Sequence, residues 1–171
     1  TTTYGTGELI LDAINKGAKH ILIGIGGSAT NDGGAGMIQA LGGRLLDKEG
    51  KDLPFGGRAL ENIDKIDLSN LDQRLKDVRF EVACDVTNPL CGENGCSAVY
   101  GPQKGATPEM IGDMDNWLDR YAELAKKVSS KSDKDYAGAG AAGGLGFAFL
   151  SFTNATLKSG IQIILDEINI E

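Results

Sequence analysis

Between Ile23 and Gly36 the chain reads IGIGGSATNDGGAG, directly after the apolar run Ile21-Leu22-Ile23. Gly26 and Gly27 lie beside Ser28, Thr30, Asn31 and Asp32, so backbone amides and short polar side chains can converge on one small anion. Glycine allows close backbone approach and positive φ, at an entropic cost that an ordinary surface loop has no reason to bear repeatedly. A second loaded loop, Asp85-Val86-Thr87-Asn88-Pro89, follows another apolar run, and Lys104 stands among glycines in GPQKG. These residue types suit phosphate chemistry. The amides of Gly26, Gly27 and Ser28 would receive the anion at a helix start, Asp32 or Asp85 would hold Mg²⁺ or accept a hydroxyl proton, and Lys104 would supply the cation. Taken singly, Asp32 reads equally well as a helix cap and Asp85 as a turn residue, and Lys104 reads more readily as a solvated side chain, favoured for the site only by the glycines and Gln103 around it. The placement of both aspartates after strands favours a site.

Two other nucleotide chemistries fit less well. Gly24-x-Gly26-x-x-Ala29 satisfies a loose dinucleotide fingerprint, with Asp47 near the position of a ribose-binding acid. But Gly138-x-Gly140-x-x-Gly143 satisfies it too, after the polar Lys131 to Tyr136, and Thr30 to Gly34 occupies the place where the fingerprint's helix should already run. An oxidoreductase is therefore disfavoured. Gly50-Lys51 is followed by Asp52 and Gly105 by Ala106, so neither forms a Walker A loop.

The elements that would position these loops follow from hydrophobic spacing. Apolar residues from Glu8 to Ala18 recur at helical intervals, with Thr6 as N-cap and Gly17 as the stop. The apolar run Ile21 to Ile25 reads as a strand covered on both faces, and Val78 to Cys84 as a second central strand. In open α/β sheets ligands bind beyond the carboxyl ends of such strands, where both loaded loops lie. Asp32 can cap a helix running to Leu41, and Arg44 to Asp47 reads as a short strand. Thr107-Pro108-Glu109 is an N-cap, an N1 proline and a first-turn acid, opening the longest helix. Its stripe of Ile111, Met114, Leu118, Tyr121, Ala125 and Val128 predicts packing and nothing more. GAGAAGGLG, Gly138 to Gly146, opens an apolar helix, and Ser159 caps a last one with Ile161, Ile164, Leu165 and Ile168 inward.

The 171 residues, 41% hydrophobic, suit one α/β domain with a mixed central sheet flanked by helices. A net charge of −7 without a basic cluster argues against nucleic acid and anionic membranes, and no apolar run is long enough to span a bilayer, so a cytoplasmic location is expected. The spacings of Cys84, Cys91 and Cys96 match no zinc motif and read as reduced thiols; His20 receives no role. Opening on Thr1-Thr2-Thr3 and closing on Ile170-Glu171, the chain reads as a piece of something longer.

Five strings, TTTYGTGELI (Thr1 to Ile10), IGIGGSATNDGGAGMIQALG (Ile23 to Gly42), ACDVTNPL (Ala83 to Leu90), GPQKGATPEM (Gly101 to Met110) and GAGAAGGLG (Gly138 to Gly146), resemble the bacterial glycerate kinase family. The resemblance implies ATP-dependent phosphorylation of D-glycerate, most often to 2-phosphoglycerate, with Mg²⁺, in a two-domain α/β protein whose cleft lies between the domains. It implies that residues 1–171 form a single domain, the inserted middle domain, and that the family's flanking N- and C-terminal segments are absent from this sequence. The missing domain would then be a partner in catalysis, and this fragment alone would be inactive. The GGSATND loop matches the family's most recognisable motif, which makes Ser28, Thr30, Asn31 and Asp32 the first candidates for glycerate or phosphate contact, with Asp85 and Asn88 next. Replacing Asp32 with Asn is expected at this point to abolish turnover in the full-length enzyme with little change in melting temperature. The alternative is a non-catalytic module that binds a small phosphate or hydroxy acid and transfers nothing.

Overall fold

The computed structural model describes residues 1–168; the closing Ile170-Glu171 lies outside them. Eleven helices and strands follow in the order α1 (Tyr4–Asn15), β1 (His20–Gly24), α2 (Ala35–Ala40), β2 (Arg44–Leu46), β3 (Lys65–Asp67), β4 (Arg79–Ala83), α3 (Cys96–Tyr100), α4 (Pro108–Val128), α5 (Ala141–Phe152), β5 (Ala155–Lys158) and α6 (Gly160–Glu167). Strands β1, β4 and β5 form a parallel sheet in that order, and β2 and β3 pair antiparallel in a separate sheet. The α/β architecture holds, with its parallel and antiparallel pairings divided between two sheets. No described helix is long and apolar enough to cross a membrane.

Side chains alternate across a strand, so register assigns the faces. Ile21, Phe80 and Ala155 lie level, as do Ile23, Val82 and Leu157, and this face carries the core. Against it lies α5, apolar on nearly every side and therefore central. Phe149 of α5 packs on Phe80 of β4 at 6.1 Å between ring centroids, and Phe147 meets Tyr121 of α4 edge-on at 5.7 Å. Helix α4 starts as its sequence dictates, with Thr107 accepting a hydrogen bond from the Met110 amide at 3.4 Å and Pro108 in the first turn.

The opposite face of the sheet is polar. Glu81, at the centre of β4, is buried there and bonds two cations, Arg79 Nη2 at 2.7 Å and Lys158 Nζ at 2.8 Å, together with the His20 ring at Nε2, 2.8 Å away. Hydrogen bonds from Lys158 and Arg79, with a smaller contribution from His20, outweigh desolvation and hold the Glu81 carboxyl down at about 2. His20, given no role by its position in the sequence, is part of this clamp.

Three expectations need correction. Strand β1 is not covered on both faces: it is an edge strand, and its outward Leu22 is 49% exposed. Helix α1 begins at Tyr4 with Thr3 before it, because the Thr3 hydroxyl and amide are engaged by Asp32. Helix α6 is capped by Ser159 as expected, but it turns Ile163 inward and leaves Ile161 62% and Ile164 and Ile168 each 55% exposed. Its rotation is set by ties at both ends, Gly160 N to Asp85 Oδ1 and Asp166 to Lys158, each at 2.9 Å. Strand β5 escaped the pattern because four residues, with Thr156 and Lys158 polar, carry too little periodicity.

A carboxylate held low in the fold contributes stability that is complete above its unfolded pKa and drains away as pH falls through its folded one. Melting temperature measured by circular dichroism should therefore decline between pH 4.5 and about 2. In Glu81→Gln that part of the decline should vanish, alongside a lower melting temperature at pH 7.

Candidate functional site

The loop after β1 is held from beneath by Asp32. Its side chain is fully buried; Oδ2 accepts from Thr3 N at 2.8 Å, Thr3 Oγ1 at 2.9 Å and Gly36 N at 3.4 Å, and Oδ1 accepts from Gly34 N at 3.1 Å. One carboxylate thus caps α2 and ties it to the start of α1, where Thr3 Oγ1 in turn accepts from Met37 N at 2.9 Å. The second glycine string supplies the seat above. Gly143 and Gly144 adopt φ of +67° and +92°, and a Cβ on either would collide with the backbone at Thr30 or Gly33. The Gly33 amide donates to the Gly143 carbonyl at 2.9 Å. GAGAAGGLG is therefore a surface against which the first loop lies backbone to backbone, and Ala142 is held in the left-handed region at φ 52° beside it.

Two chambers flank this loop. A small one of about 110 Å³ is lined by Gly26, Gly27, Ser28, Tyr100, Gln103 and Lys104, among others. A groove of about 430 Å³ is lined by Asn31, Arg58, Lys104, Met110, Met114 and Trp117, with Glu61 and Asp113 also on its wall. Lys104 belongs to both. Its Nζ donates to Ser28 Oγ at 3.0 Å and to the Thr30 carbonyl at 2.6 Å. Both partners are neutral, and burial pulls the ammonium below the ordinary lysine pKa. An ammonium has three donors, so one remains for an incoming anion. Asn31 Nδ2 donates to the buried Ser97 Oγ at 2.9 Å, while Asn31 Oδ1 is buried without a partner.

The structure thus brings Gly26, Gly27, Ser28 and Lys104 to one chamber, Asn31 to the adjoining groove, and Thr30 to Lys104 through its carbonyl. Asp32 lies behind the loop and lines neither space. Asn88 is consumed by its neighbours, accepting from Tyr100 Oη at 2.7 Å and donating to the Asn94 carbonyl at 2.8 Å, and so fixes Tyr100 in the chamber wall. Asp85 is exposed at the end of β4, one residue before the chamber-lining Val86; Oδ1 accepts from Gly160 N, and Oδ2 has no partner among the described residues. Among the described residues no three His, Cys, Asp or Glu side chains converge as a metal centre. The four donors on Asp32 leave it unsuited to a metal, whereas the free oxygen of Asp85 could serve as a single ligand to an ion held mainly by phosphate and water. Burial raises the pKa of all three thiols, pushing Cys96 up to about 12 and Cys91 higher still.

Sequence reasoning missed Arg58 and Trp117, and it read Met114 as packing alone. A signal for Arg58 was present in Gly56-Gly57: a Cβ on Gly57 would collide with the Asn31 carbonyl, so glycine there draws the next residue to the groove. The wall formed by α4 carried none, since its residues continue an ordinary amphipathic stripe.

A glycine loop, a half-buried lysine and an open groove are gathered at the carboxyl ends of parallel strands, where open α/β folds carry their ligands. Residues 1–171 match the glycerate kinase family throughout. Glycerate 2-kinase of Escherichia coli K12 is 57% identical over 171 residues, 100% of this chain and 45% of that protein. Glycerate kinase of Haemophilus influenzae is 56% identical over 99% of this chain and 45% of its own length. The crystal structure of a glycerate kinase 2 from Salmonella typhimurium LT2 superposes with a TM-score of 0.96 at 57% identity, covering 99% of this chain and 45% of that one. The chain belongs to the glycerate kinase family, and it spans about 45% of the length of the relatives it matches.

The burial of Asp32 reverses the expectation for its replacement. Asp32→Asn turns one acceptor into a donor facing backbone amides, so unfolding in urea should show a loss of about 2–4 kcal/mol. Gly143→Ala, which must place a methyl against the Thr30 carbonyl at positive φ, should be at least as damaging.

Proposed function

We propose that this chain is the part of a glycerate kinase that binds the anionic groups of phosphoryl transfer, in a cytoplasmic enzyme that phosphorylates D-glycerate at the expense of ATP, at the 2-hydroxyl. Family membership supports the substrate. The observation that carries the site assignment is Lys104: a half-buried ammonium pinned by two neutral oxygens beside the exposed Gly26 and Gly27. Such a cation gains most when an anion enters, and phosphoryl transfer depends chiefly on positioned charge of this kind.

In this reading Gly26, Gly27 and Ser28 receive phosphate or carboxylate oxygens, and Lys104 neutralises them. Asp85 has one free oxygen for one of two roles: it accepts the hydroxyl proton as the hydroxyl oxygen bonds to the γ-phosphorus and ADP leaves, or it is the residue of this chain that would hold Mg²⁺. That ion, when bound, supplies further charge neutralisation at the phosphates. Asp32 and Asn88 act by positioning: the first holds the glycine loop, the second Tyr100. We assign the remaining half of the cleft, with additional cations, to the parts of the parent protein outside this chain. The chain by itself then binds without transferring, which is where the alternative of a binding module retains its place.

A coupled ADP-release assay with D-glycerate and Mg·ATP, run on this chain and on its full-length parent, tests the reading. Turnover is expected in the parent alone, and Lys104→Met in the parent should lower kcat/KM about 10²–10³-fold while leaving the melting temperature nearly unchanged. A folded parent that phosphorylates no glycerate overturns the kinase assignment; a mutant at full rate removes Lys104 from the site.

A further inference from the structure

Resting on that reading, we infer that the two chambers divide the substrates: the groove along α4 takes the nucleotide, its base against Trp117, Met110 and Met114 and its phosphates toward Lys104 and Arg58, while the small chamber takes the three-carbon acid. Size is the first argument. Nucleotide-scale ligands occupy pockets of about 300–1,000 Å³. The groove, at about 430 Å³, falls in that range, and the chamber, at about 110 Å³, has room for only a few heavy atoms.

Chemistry is the second. The groove combines apolar and cationic side chains. Helix α4 contributes Trp117 and the polarizable thioethers of Met110 and Met114, side chains suited to a flat heteroaromatic ring, and the segments outside α4 contribute the cations of Arg58 and Lys104. A small hydroxy acid has no use for the apolar side chains. Glu61 and Asp113 on the wall are acceptors of the kind that sugar hydroxyls require. Asn31 lines the same space, its amide fixed through Nδ2 on the buried Ser97 hydroxyl at 2.9 Å.

Connection is the third. Lys104 lines both spaces, and so does the loop that anchors it, with Ser28 on the chamber side and Asn31 on the groove side. A ligand whose anionic end reaches Lys104 from the groove meets one whose hydroxyl reaches it from the chamber. Shared neutralisation at that one ammonium is the arrangement an in-line transfer needs.

Trp117 is the chain's single tryptophan, so its fluorescence reports on the groove alone. Titration of this chain with ATP or with adenosine should shift the Trp117 emission saturably, and D-glycerate or inorganic phosphate should leave it unchanged. Lys104→Met should weaken ATP about tenfold or more without altering the response to adenosine. In the full-length protein, photolabelling with 8-azido-ATP should modify the peptide that carries Met110 to Trp117. A saturable response to D-glycerate without one to ATP, or no response to any nucleotide together with label elsewhere, overturns the assignment. If the parent phosphorylates D-glycerate while Trp117 stays silent, the division of chambers fails alone. If ATP moves Trp117 and no glycerate is phosphorylated, the substrate reading fails and the groove assignment stands.

Discussion

A buried carboxylate that accepts four hydrogen bonds from its own chain is costly to assemble and costly to disturb, and Asp32 places that constraint where α1, α2 and the glycine loop meet. The Thr3 hydroxyl extends the network by accepting from Met37 N, so α2 is anchored from both ends of one short chain of polar groups. Once Asp32 fixes the turn at Gly33 and Gly34, the preceding Thr30 and Asn31 can go only one way, along the backbone of Gly143 and Gly144. The Thr30 carbonyl is thereby presented to Lys104, and the cation's position follows from a carboxylate it never touches. Polar groups deep in the fold set the geometry, and the side chains open to ligand are comparatively few.

Much of this was legible in the residues. The capping signal at Thr107-Pro108-Glu109, the strand at Val78 to Cys84 and the loop of Gly26 to Ser28 all express local rules that tertiary contacts did not override. The resemblance to glycerate kinases, carried by motifs spread over the whole chain, agrees with the family to which it belongs. The division of labour among polar residues was not legible. Asp32 and Asp85 look alike in sequence, each an aspartate after a strand, and only burial separates a carboxylate with four internal donors from one with a free oxygen at the surface. Asn88 looks like a ligand contact for the same reason, although its amide is spent on Tyr100 and Asn94. The outward faces of β1 and α6 were misread because apolar composition states what prefers burial and not which element is at hand to bury it.

The proposed role of Lys104 has to be reconciled with an acidic domain. With a net charge of −7, long-range attraction is unfavourable, so capture has to be local. A lysine held by a hydroxyl and a carbonyl is not quenched by a counter-carboxylate, and burial keeps water from screening it fully. Arg79 and Lys158 around Glu81 represent the opposite arrangement, in which charge is consumed for cohesion on the far side of the sheet.

The contact of Gly33 with Gly143 has a consequence for the order of folding. The two glycine strings lie far apart in the chain, and their backbones touch only after everything between them has been laid down. During synthesis the loop that will carry Ser28 and Thr30 therefore leaves the ribosome before the backbone at Gly143 and Gly144 that it lies against has been made. Closing so long a loop is slow relative to local helix formation, so the helices between the two strings can form before this contact does.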